Sequence, residues 1–71
     1  MNHATLVRMA NQIATFYKPY EEAEAIASTE GHIKRFWDPR MKTDLKRLVA
    51  EGGEGLSPVA LAAAQKVVEK I

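Results

Sequence analysis

The side chains best suited to proton transfer or nucleophilic attack in this 71-residue chain are His3 and His32, Ser28 and Ser57, and the carboxylates Glu21, Glu22 and Glu24. An activated serine needs a base within hydrogen-bond reach and a third group that orients the base. Ser57 has no histidine nearby in sequence and stands directly before Pro58, the pattern of a helix start. His32, one turn beyond Ser28, is a lone imidazole without a carboxylate to orient it and a poor base. The chain has no cysteine, so it offers no thiolate for attack or for metal binding. Two histidines far apart in sequence are a poor beginning for a zinc site. The three glutamates read as a solvated first helical turn, where carboxylates complement the positive end of the dipole. The glycines of "EGGEGLS" match neither a phosphate-binding loop nor a dinucleotide fingerprint, and no strand precedes them. Catalysis by this chain alone is not expected.

A second constellation, "HIKRFWDPRM" at residues 32–41, is suited to recognition instead. It places the single tryptophan beside Phe36, sets Lys34, Arg35 and Arg40 around the pair, and breaks at Asp38–Pro39. With Lys42, Lys46 and Arg47 these cations have three readings. They form a solvated face, a surface for an acidic patch on a protein partner, or a nucleic-acid grip with bases stacked on the aromatics. The last is weakened by the tight Asp-Pro junction and by the scarcity of Asn, Gln and Ser for base reading in the segment that follows. Neighbours on a helix point ~100° apart, so Phe36 and Trp37 cannot share one narrow stripe. Trp37 shares its heading with Ile26 and Ile33, as a core anchor would. Phe36 falls on the His32 flank, either beneath another helix or exposed as an anchor for a partner.

The elements that must position these residues follow from the breakers. Pro19, Asp38–Pro39 and the stretch from Gly52 to Pro58 divide the chain into four segments without convincing strand alternation. The expectation is an all-α fold: one domain over residues 1–71, a small bundle with helices near 4–17, 21–37, 39–51 and 58–70 and no sheet. Leu6, Met9, Ala10, Ile13, Phe16 and Tyr17 form the apolar stripe of the first segment, away from Asn11, Gln12 and Thr15. Glu30 falls close to the stripe of the second and is expected at its rim, reaching for solvent or for a base such as Lys34. Gly31, costing about 1 kcal/mol in a helix interior, suggests a close backbone approach or a helix break. The third segment carries Met41, Leu45, Leu48 and Val49 on one face and ends near Gly52. The fourth is apolar over more than one stripe: Leu61, Ala64 and Val68 at the centre, Ala60, Val67 and Ile71 to one side. With Val59, the surplus of Val67 and Ile71 suggests a second docking face.

Ten Lys+Arg against nine Asp+Glu give a net charge of +1, too small an excess for non-specific binding to nucleic acid or membrane. No apolar run approaches the ~18 residues of a membrane span. The stretch "MNHATLVRMANQ" lacks the features of a signal peptide, so a cytoplasmic location is expected. A chain this short buries only about 60% of the surface its unfolded form exposes. Without disulfides, efficient helix packing or association must make up the difference.

Three stretches, "LVRMANQIATFY", "HIKRFWDPRM" and "GGEGLSPVALAA", together resemble the small delta subunit of soluble, molybdenum-containing, NAD-dependent formate dehydrogenases. The likeness runs from Leu6 to about Ala64. Its most specific part is a signature met by Ile33, Phe36, Trp37, Asp38, Pro39, Arg40 and Met41, with Asp38 where glutamate is commoner. The resemblance implies a non-catalytic accessory subunit that binds the molybdenum-containing large subunit and supports assembly, cofactor insertion or stability. It also implies that this chain binds no cofactor. In the implied complex, bis-molybdopterin guanine dinucleotide, iron–sulfur clusters, FMN and NAD belong to other subunits. The expected partner contacts are the corner Ile33, Phe36, Trp37, Asp38, Pro39, Arg40 and Met41, aided by Lys42 and Arg47. A helical nucleic-acid-binding module built on residues 34–47 is the alternative, and direct capture of the guanine dinucleotide cofactor a weaker third.

Overall fold

Short polar side chains and prolines decide where the helices begin. The computed structural model describes residues 2–70. Among them are four α-helices and no strand: α1 (His3–Phe16), α2 (Glu22–Phe36), α3 (Pro39–Ala50) and α4 (Pro58–Val68), the all-α bundle the breakers imply. Asp38 Oδ1 accepts the N–H of Met41 at 2.9 Å and Ser57 Oγ that of Ala60 at 3.3 Å, each before a proline at the first helical position. Asn2 Oδ1 does the same for Thr5 at 2.8 Å and starts α1 one residue before Ala4. Such caps contribute ~1 kcal/mol each. Helix α3 ends in a Schellman arrangement: the N–H groups of Gly52 and Gly53 reach the carbonyls of Val49 and Leu48, with both glycines at positive φ. Gly53 is doubly constrained, because a Cβ there would run into the Leu61 side chain.

Helix α4 is the centre of the bundle. It packs on α1, α2 and α3, most extensively on α2, whereas α2 and α3 do not pack along one another although only Trp37 and Asp38 join them. Ala60, Ala63, Ala64 and Val67 are fully or almost fully buried, and Val59, Leu61 and Val68 are half-buried. The expected docking face on this helix is therefore corrected. Its wide apolar arc is wide because neighbours close on it from three sides, and its alanines are small enough to admit them. Ile71 lies outside the described residues.

Helix α1 buries Leu6, Ala10 and Ala14, a line rotated from the expected stripe. Met9, Ile13 and Tyr17 are half-buried, and Phe16, expected in the core stripe, is 73% exposed. The two alanines allow close approach to the bundle, and the larger side chains are turned to its edge. Helix α2 buries Ala25, Thr29 and Ile33, with Trp37 buried just past its end. It runs unbroken through Gly31, where an added methyl would meet no atom within 4 Å, so neither a break nor an internal close approach explains that glycine. Glu30 is ion-paired with Lys34 one turn on. The radius of gyration is 10.7 Å, near the ~11 Å of a well-packed chain of this length. Loose packing is not why Phe16 is exposed.

Candidate functional site

Of the five aromatic residues in the chain, Phe16, Tyr17, Phe36 and Trp37 line one open depression of about 530 Å³. One wall is α1, where Met9, Gln12, Ile13, Phe16 and Tyr17 follow the helical repeat. The other is the α2–α3 corner, with His32, Phe36, Trp37 and Met41. Trp37, 5% exposed, forms the inner part beside the fully buried Ile33. Phe36 is 70% exposed and stands at the lip, its ring 4.8 Å from that of His32. Across the depression the rings of Phe16 and Tyr17 meet edge to face at 5.1 Å. Full burial of one phenylalanine contributes about 1.5–3 kcal/mol. In the isolated chain most of that is unrealised at both Phe16 and Phe36, and a partner that covers them collects it.

The corner is held by local geometry. Asp38 is extended, as the residue before a proline must be, and Trp37 is extended with it. The chain therefore turns sharply between α2 and α3 with Trp37 directed inward. Lys42 Nζ reaches back across the turn and donates to the carbonyl oxygen of Lys34 at 2.8 Å. That carbonyl belongs to the last turn of α2 and has no partner within its own helix, and a cation also suits the negative helix end. The Lys34 ammonium pairs with Glu30, which holds the carboxyl below its ordinary value and the ammonium above its own.

The nine residues singled out for partner contact thus take different places. Ile33 and Trp37 are buried and support the site from below, and Asp38 and Pro39 shape the turn. Phe36 and Arg40 are exposed and Met41 half-exposed at the rim. Lys42 is turned into the fold. Arg47 lies away from the depression, in a cleft shared with Asp44 and Glu51. The basic face of α3 is thus interrupted by carboxylates, which weakens it as a track for a phosphate backbone.

The α1 wall escaped sequence reasoning, because Met9, Ile13, Phe16 and Tyr17 share a stripe with the buried residues. The available signal was width: α1 carries more large apolar side chains than one buried line accommodates. Asn11 was missed as well. Its Nδ2 donates to the Gly55 carbonyl at 2.9 Å, and its Oδ1 accepts the Ser57 N–H at 2.8 Å. One carboxamide thereby ties the α3–α4 connection to α1, behind the wall that carries Phe16.

Among the described residues no three His, Asp or Glu side chains gather as metal ligands would, and no helix is long and apolar enough to cross a membrane. The chain matches the family model described as NADH-dependent formate dehydrogenase delta subunit FdsD over residues 5–64. No curated protein and no solved structure matches it significantly.

Proposed function

We propose, since the chain belongs to the FdsD family of NADH-dependent formate dehydrogenase delta subunits, that it is a non-catalytic accessory subunit whose aromatic depression docks on the molybdenum-containing large subunit. The observation that carries this reading is the pair of phenylalanines at the lips of one groove, 73% and 70% exposed in a bundle that is otherwise well packed. Contiguous apolar surface of this kind marks an interaction site, and aromatic side chains supply a large share of interface energy. The donor set supports a role without a cofactor of its own. Iron–sulfur clusters are held chiefly by cysteine thiolates, and this chain has none. Iron–sulfur chemistry is thus left to neighbouring subunits, and in this reading the chain assists by binding, as an assembly or stability factor.

The test is co-purification of the assembled formate dehydrogenase complex from cells expressing a tagged version of this chain. Phe36→Ala is expected to lower affinity for the large subunit by about 30-fold, the effect of losing an interface hot spot. In the isolated chain the same change should leave thermal stability within about 0.5 kcal/mol, as surface substitutions do. Undiminished retention of Phe36→Ala on the complex would remove the depression from the interface.

A further inference from the structure

Beyond the existence of a docking groove lies the chemistry of what occupies it. The main depression is joined through Tyr17, His32 and Phe36 to a smaller one lined by Ala27, Ser28 and Gly31 and bordered by Arg35. Neither depression has an aspartate or glutamate in its lining, although the chain carries nine. Arg35 and Arg40, next in sequence to Phe36 and Met41, are exposed, and neither has a carboxylate within ion-pair distance among the described residues. The larger depression is therefore an apolar trough, its smaller neighbour is mainly polar with Arg35 at its border, and neither holds a competing anion. The α1 wall of the trough runs from Met9 to Tyr17, ~12 Å at the helical rise, which matches two turns of a docked helix.

A second copy of this chain is a poor occupant. A two-fold dimer through this patch would bring the patch against itself, and its lining offers Arg35 no carboxylate to meet. We infer that the groove receives an amphipathic helical segment of the partner subunit, with apolar anchors three or four residues apart and carboxylates flanking them. Helix-in-groove recognition uses such anchors, and the flanking charges fix orientation and speed encounter. Phe16 and Phe36 grip the anchors from either lip, Arg35 and Arg40 meet the carboxylates, and the open space over Gly31 admits the partner backbone. This inference rests on the docking reading above.

The experiment uses the intact complex with a photo-reactive phenylalanine analogue at position 16 or 36, followed by identification of the cross-linked peptide. The expected product joins both positions to one carboxylate-flanked amphipathic segment of another subunit. A cross-link to a second copy of this chain, to nucleic acid, or to a segment without carboxylates would overturn the inference. Charge reversal separates it from the docking reading itself. Arg35→Glu combined with Arg40→Glu should lower affinity about tenfold or more, and Arg35→Lys with Arg40→Lys should largely retain it, with binding that weakens as salt rises. If Phe36→Ala releases the subunit and charge reversal does not, the groove stands and its acidic occupant falls. If neither releases it, both readings fall.

Discussion

Helix α4 and the edge between α1 and α2 are both rich in apolar side chains, and they end in opposite places. Ala60, Ala63 and Ala64 on α4 are completely buried, whereas Phe16 and Phe36 are among the most exposed apolar residues of the molecule. Side-chain size accounts for the difference. Three helices crowd onto α4 because alanines let them approach, and once that small core is filled no position remains for two phenylalanine rings. The hydrophobicity of a segment therefore does not tell which apolar surface is surplus. In a domain this small the surplus is the bulk that the close-packed interior has no space for.

Three measurements probe that contrast. The largest effect is expected from Ala63→Leu, which forces bulk into the sealed side. Overpacking a filled core costs about 1–3 kcal/mol, and each kcal/mol lowers the melting temperature of a domain this size by about 4–8 °C. A melting temperature matching the parent chain would show that α4 has spare room and that the size argument is mistaken. An intermediate effect of opposite sign is expected from Thr29→Val. The Thr29 hydroxyl is completely buried and has no hydrogen-bond partner, and replacing it with a methyl should stabilise by about 1 kcal/mol. Calorimetry showing a loss would mean that the hydroxyl is satisfied in solution.

The smallest effect belongs to the half-exposed Glu30–Lys34 pair. Lys34 holds the Glu30 carboxyl below its ordinary 4.5, so the pair's contribution is complete above that value and is lost as pH falls through the lowered one. Lys34 is shifted above 10.5 by the same hydrogen bond, so on its side the contribution persists up to 10.5 and fades only beyond. Melting curves of the parent chain and Glu30→Gln between about pH 7 and about pH 2 should therefore converge at the acid end. Curves that stay separated there would assign the difference to packing.

What could be read in advance followed from local rules. Asp38–Pro39 and Ser57–Pro58 encode helix starts in two adjacent residues, and Glu30 with Lys34 sits one helical turn apart. The aromatic corner was legible because Phe36 and Trp37 must diverge on any helix. The second wall was not legible, since Leu6 and Phe16 look alike to a periodicity argument and only packing separates them. Nor was Asn11, whose partners Gly55 and Ser57 are 44 and 46 residues away. Lys42 counts as surface charge in a sequence, yet its ammonium serves a carbonyl of the preceding helix. Gly31 invited an internal explanation and has none; a partner over that position is the explanation proposed here.

The central place of α4 also bears on how the protein comes into being. Segments leave the ribosome in chain order, at about 5–20 residues per second, and the helix that the other three share emerges after all of them. Until synthesis has passed Val68, Leu6, Ile33 and Leu45 lack the common floor on which they close. The aromatic cleft is consequently finished only once α4 has joined the three helices made before it.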